Sequence, residues 1–144
     1  MPSLTLASPN LKADGPVIDV LFLISTELEE KYKKDNKESP KPVSVRALID
    51  TGASHCVIKK EIPEQLGLKP VGSIKINTPS SKEHQCYQYF MRMAIPAQKL
   101  VYEGVFTAAP LEGQNIACLI GRDLLANGIL IYIGSANQFT FSLM

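Results

Sequence analysis

The sequence is short of several features that would announce a function. No apolar run is long enough to span a bilayer; "PVIDVLFLI" and "GILIYIG" are the longest. The opening "MPSLTLASPN" has no basic segment and no long apolar segment, so no secretory leader is expected from it. Neither sign of charge dominates: 15 Lys and Arg against 14 Asp and Glu leave a net charge of +1. That balance offers no electrostatic case for nucleic acid or an anionic membrane as a partner. Cysteine is scarce and odd in number (Cys56, Cys86 and Cys118) with no CxxC, and the two histidines, His55 and His84, form no ligand-spaced pair. A zinc site is therefore not expected, nor is any cofactor, and the thiols read as reduced, packed residues of a cytoplasmic protein. Internal repeats and low-complexity blocks are absent as well.

What remains is a chain of 144 residues, 45% hydrophobic, which suits a single domain spanning 1–144 with a modest core. Its pattern is mostly β. "PVIDVLFLIS" reads as a strand. The charged stretch from Thr26 to Pro42 mixes both signs, closes on two prolines, and reads as a solvated loop. "VSVRALI" is a second strand, with Val43, Val45, Ala47 and Ile49 on one face and Ser44, Arg46, Leu48 and Asp50 on the other. "TGAS" turns the chain and "HCVI" returns it. "KKEIPEQLGLKP" forms a helical turn stopped at Gly67. "GSIKIN" and "YQYFMRMAIP" make a hairpin around the polar tip "TPSSKEHQ". "LVYEGVFTAAP" is a strand pair or one bent strand, "NIACLIG" a strand ending at Gly121, "RDLLANG" a short helix, and "ILIYIG" and "QFTFSLM" the closing strands. Short strands with frequent turns and two brief helices predict an all-β sandwich or barrel.

One position breaks the apolar logic. Asp50 ends a strand that otherwise reads as buried, and a carboxylate there is costly unless something specific compensates it. Asp-Thr-Gly is also a good turn sequence, because Asp bonds its own backbone and Gly tolerates unusual φ. By composition alone a D-[ST]-G arises in a chain of this length about once in fifteen. The context is more specific than the tripeptide. An apolar strand delivers Asp50-Thr51-Gly52-Ala53, and some seventy residues later Leu119-Ile120-Gly121 precedes a short helix.

Together these motifs resemble the retroviral-type aspartic proteases, the retropepsin family, over roughly Pro16 to Leu143. The resemblance implies a retropepsin-like closed β-barrel, one lobe per chain. It also implies an aspartic endopeptidase that is cofactor-free and acts on an extended peptide. A single D-[ST]-G is half an active site, so the resemblance implies a homodimer with Asp50 from each chain at the twofold axis. Thr51 would bond across the dimer beneath the dyad, and Gly52 would let substrate backbone approach. Ala53, Val57, Leu119, Ile120 and Gly121 would line the substrate site, with Pro79 and Ser80 in a flap over it. The chain departs from viral members at Ser54, where they commonly carry an acid that pairs with the arginine matching Arg122; Asp123 or a backbone carbonyl takes that place here. The flap tip, Pro79-Ser80-Ser81, has no glycine. These departures define the competing expectation: the same fold as a catalytically silent peptide-binding or dimerisation module.

Overall fold

The computed structural model describes residues 3–78, 81–111 and 115–143. Its main body is a barrel. Strand β2 (Val17–Leu23) pairs antiparallel with β3 (Val43–Ile49), which runs parallel to β8 (Cys118–Ile120). β8 pairs with the two-residue β4 (Val57–Ile58), β4 with β7 (Leu100–Ala108), and β7 with β6 (Ser81–Ile95). β6 then returns to β2 through Leu21↔Ala94 and Phe22↔Met93, closing six strands into a ring. The expected all-β closed barrel is thus the observed architecture.

The alternation expected for β3 is the alternation observed. Ala47 and Ile49 are buried, Ser44 and Arg46 are exposed, and Val43 and Val45 are half-buried on the inner side. Inside the ring, Phe22 and Phe106 meet edge to face with centroids 5.2 Å apart. Met91, Met93, Ile95, Ile58 and Ile120 complete the packing, all essentially without exposure. β6 belongs to two structures at once. Its first half pairs with β5 (Gly72–Thr78) as a hairpin with a register shift near Ile76, and its second half is a barrel stave. The hairpin expected to be the flap is therefore a continuation of the core, although Pro79 and Ser80 themselves lie outside the described residues. "LVYEGVFTAAP" is a single strand, β7, and not a pair.

The stretch Thr26–Pro42 is not simply a loop. Thr26–Lys34 forms helix α2. The Ser25 side chain accepts the Leu28 N–H at 3.2 Å, which caps the first turn. Glu27 and Glu29 sit near the N-terminus and Lys31, Lys33 and Lys34 near the C-terminus, in the sense that the helix dipole favours. Leu28 and Tyr32, four residues apart, rest against the core. Arg92 fastens the helix from β6: its Nε donates to the Ile24 carbonyl at 2.7 Å and its Nη2 pairs with Glu29. That contact holds the Glu29 carboxyl below the usual carboxylate range, chiefly through the Arg92 hydrogen bond and then its charge. The mixed charges that suggested solvation are the ones that complement a helix.

A second, smaller sheet packs beside the barrel. β1 (Ser3–Ala7) and β9 (Gly128–Ile133) flank β10 (Gln138–Leu143), all antiparallel. Phe139, Phe141 and Leu143 are buried beneath it, and Gln98 Nε2 donates to the Phe141 carbonyl at 2.8 Å. Helix α1 (Leu11–Asp14) buries Leu11, whose carbonyl accepts from Tyr132 Oη at 3.3 Å. Among the described residues no helix is long and apolar enough to cross a membrane.

Phe106 has no exposed surface, and removing its ring would leave a cavity against Phe22 and Tyr102. Phe106→Ala is expected to lower the unfolding free energy by about 3–5 kcal/mol. Urea denaturation followed by circular dichroism checks this.

Candidate active site

The parallel pairing of β3 and β8 continues one residue past the strand: the Asp50 N–H donates to the Ile120 carbonyl at 2.9 Å. The chain then turns tightly. The Asp50 carbonyl accepts the Ala53 N–H at 3.2 Å, and its Oδ1 accepts the Gly52 N–H at 2.8 Å. Asp50 is half-exposed, and Thr51 and Gly52 are exposed, so the acid stands at the barrel's rim with solvent access and one backbone donor. The burial that the apolar strand implied stops at Ile49. A Cβ on residue 52 would lie 3.0 Å from Asp50 Oδ1, so glycine leaves room for the backbone to reach the carboxylate.

After the turn the chain comes back as β4 on the far side of β8. Leu119 thus sits between Leu48 on β3 and Val57 on β4. The segment 50–56 wraps the end of β8, and Gly121 passes directly behind it. A Cβ at Gly121 would fall 2.5 Å from the His55 carbonyl oxygen and 3.0 Å from that of Ala53. The next residue closes the contact, with Arg122 N–H donating to the Ala53 carbonyl at 2.8 Å.

Two side-chain links hold the wrapped loop. Arg122 Nη1 donates to the Thr51 carbonyl at 2.7 Å, so a backbone carbonyl serves in place of the acid that Ser54 does not supply. Asp123 takes a different task, which no sequence pattern indicated. Its Oδ2 accepts the Cys56 N–H at 3.1 Å, and its Oδ1 accepts the Cys56 thiol at 3.1 Å and the Leu124 N–H at 2.8 Å. The Cys56 sulfur in turn accepts the Gly121 N–H at 3.4 Å. Burial first, and the Asp123 carboxylate after it, push the Cys56 thiol up to about 12. Burial raises Cys118 strongly as well. Cys56 is a neutral, packed hydrogen-bonding group, as the sparse cysteine usage suggested.

The sequence-derived site residues divide accordingly. Asp50, Thr51, Gly52 and Ala53 form one tight turn, with Val57 and Leu119 half-buried beside each other on the neighbouring strands. Ile120 is fully buried in the core cluster, and Gly121 is buried against the loop backbone. The resemblance places both beside the substrate with Leu119, and strand alternation turns the Ile120 side chain the other way. His55 and His84 are exposed. A groove of about 1020 Å³ opens between helix α3 (Glu61–Gln65), β6 near Tyr87 and Tyr89, and Ala108–Leu111, but it includes none of residues 50–56.

Removing the Asp123 carboxylate strands the Cys56 N–H. Asp123→Ala is expected to lose about 1–3 kcal/mol of stability and to expose the Cys56 thiol to disulfide reagents that do not label the native protein. Urea denaturation and thiol titration report the two effects. The raised thiol also predicts a pH dependence. Its contribution is full below the ordinary value of 9.0 and declines as pH rises from there towards about 12, because only the unfolded chain ionises it easily. Cys56→Ser should flatten that alkaline loss in a pH series of unfolding curves.

Comparison with known proteins follows the same outline. A family model described as aspartyl protease matches residues 36–124, the span from before β3 through the first turn of α4 (Arg122–Leu125). A search of curated proteins finds no match. Among solved structures, a retropepsin-like aspartic protease from Rickettsia conorii shares 15% identity, with 98% of this chain and 90% of that one covered and a TM-score of 0.55. The protease of simian foamy virus (mac) shares 14% identity over 77% of this chain and 92% of its own, with a TM-score of 0.49. From the Asp-Thr-Gly-Ala turn to the glycine that passes behind it, the chain belongs to the aspartyl protease family and has the retropepsin-like fold.

Proposed function

We propose that the protein is an aspartic endopeptidase that works as a homodimer, with Asp50 of each copy forming the catalytic pair. The observation that carries this reading is the Asp50 carboxylate at the rim of the barrel, held by the Gly52 N–H on a loop braced from behind. There is one such acid per chain, and hydrolysis of a peptide needs two functions. One carboxylate removes a proton from water as the oxygen attacks the carbonyl carbon. The other, protonated, polarises the carbonyl oxygen, and the C–N bond breaks as its nitrogen takes up a proton. The water's hydroxyl ends on the new carboxyl and its hydrogen on the new amine. A second copy supplies the second acid under twofold symmetry.

Ala53, Val57 and Leu119 form the side of the cleft next to that acid and favour apolar residues flanking the cleaved bond. The β5–β6 hairpin is the flap, and the peptide lies beneath it in extended form. One chain is one wall of such a cleft, which accounts for the groove described above lying elsewhere. The buried, unpaired thiols Cys56, Cys86 and Cys118 suit a reducing, cytoplasmic setting. The catalytically silent alternative drew its support from Ser54 and the glycine-free flap. The first of these loses force, since Arg122 is satisfied by the Thr51 carbonyl.

Asp50→Asn keeps the shape of the turn and removes the acid. It is expected to reduce cleavage of an unstructured protein at mildly acid pH by at least about 100-fold, while wild-type activity per chain falls on dilution. Equal cleavage by both proteins at matched concentration would dismiss the proposal.

A further inference from the structure

The strand registers carry one row of side chains across the barrel and into the hairpin. Leu48 on β3 is level with Leu119 on β8, and Leu119 with Val57 on β4. Val57 is level with Thr107 on β7, Thr107 with Gln88 on β6, and Gln88 with Gly72 on β5. Partners in register share a face. Their chain neighbours Ile49, Ile120, Ile58 and Phe106 fill the core, so the row lies on the face turned away from it. The row starts two residues before Asp50 and holds no charge. Three aliphatic side chains come first, and two polar ones follow. Thr107 is 2% exposed, and its hydroxyl accepts Gln88 Nε2 at 3.4 Å. Gln88 is half-buried, and among the described residues that long contact is the one hydrogen bond of its side chain. One N–H and the carbonyl oxygen of the amide are left for another group. A Cβ at residue 72 would lie 3.3 Å from Gln88 Oε1, so the glycine leaves room beside that oxygen. Two residues along on the same face, Phe90 and Val105 stand opposite each other, each 41% exposed.

We infer that Gln88 is a specificity-determining residue that selects a glutamine side chain on the bound peptide, about four residues from the cleaved bond. The inference rests on the proposed function, which runs an extended peptide past Leu119 and Val57 beneath the β5–β6 hairpin. Neighbouring strands stand about 4.8 Å apart. Three such steps lead from Leu119 to Gln88, roughly 14 Å, and an extended chain covers that distance in about four residues. The chemistry at the end of the row selects the occupant. Two carboxamides meet head to tail through a pair of N–H to carbonyl bonds, which uses the N–H and the oxygen that Gln88 has left. The exposed Phe90–Val105 pair receives the methylene stem of the incoming side chain. An aliphatic side chain in the same place would strip water from the Gln88 amide and return no hydrogen bond. Thr107 acts through Gln88 as a positioning residue, because its hydroxyl fixes which way the amide faces.

The test uses two peptides identical except at the fourth residue from a central Phe-Phe bond, where one has glutamine and the other leucine. Binding is read by fluorescence anisotropy on the full chain carrying Asp50→Asn, which needs no chemistry, and kcat/KM is read on the wild type. Both should favour the glutamine peptide by at least about fivefold. Gln88→Met or Gln88→Leu, each checked for folding by its thermal melt, should bring that ratio below about twofold. If one of them fails to fold, the other decides. Thr107→Val should reduce the ratio, and Gln65→Leu, the same chemical change on α3, should leave it intact. A Gln88 with a merely structural role would weaken both peptides alike and preserve the ratio. Equal binding of the two peptides, binding of neither, or a ratio that survives in folded Gln88 variants would overturn the inference. Cleavage separates it from the proposed function. A wild type that cleaves both peptides equally, while Asp50→Asn cleaves neither, overturns the role of Gln88 alone. A glutamine preference in binding that is lost with Gln88 supports the role even where nothing is cleaved, and that silence would count against the proteolytic reading.

Discussion

The passage of β8 through the loop that follows β3 is the constraint on which the site depends. β8 runs parallel to β3 and antiparallel to β4, so the intervening residues 50–56 must arch over its end. Such an arch is possible only if the chain leaving β8 passes behind it at van der Waals distance. Gly121 provides that, because any side chain there would drive into the His55 carbonyl. The position of Asp50 follows: its N–H is fixed to Ile120 and its carboxylate to Gly52. An acid that would be unfavourable inside the strand is instead presented at the rim, with the strand's apolar face ending one residue earlier.

Around this arch the molecule places two braces of different kinds. The Arg122 guanidinium reaches the Thr51 carbonyl on the solvent side, where a long cation can satisfy a backbone group without burying its charge. On the inner side, Asp123 gathers the Cys56 N–H and thiol, and the thiol gathers the Gly121 N–H. The inner network is buried at the sulfur, so each donor in it must be met. A neutral thiol suits that place better than an ionised one, which is the direction in which its environment shifts it. The β5–β6 hairpin is tied to the same frame, because β6 is both its second strand and a barrel stave.

The distribution of charge divides the molecule again. All the charged side chains lie between Lys12 and Asp123, in exposed mixtures and a few links such as Arg92 with Glu29. The terminal sheet carries none, is anchored by Phe139, Phe141 and the Gln98 contact, and ends in an apolar edge.

Much of this was legible in the residues. Period-two alternation located β3, because a strand with one buried face must alternate, and β-branched and large apolar residues located β2. The pairing of Asp50-Thr51-Gly52-Ala53 with Leu119-Ile120-Gly121 pointed to the site, since a close backbone approach demands glycine and a rim carboxylate needs a turn. Other features were decided only by tertiary structure. α2 was hidden because its charges look like those of a solvated loop; its cap and its Arg92 anchor come from distant or unremarkable residues. β1 was hidden because a five-residue strand with one half-buried face has little signal until β10 lies beside it. The roles of Ile120, Asp123 and Cys56 likewise had no local signature. They are set by which residues β8 and α4 bring against the arch, across 65 and 67 positions of chain, and a periodic pattern carries no information about contacts at that separation.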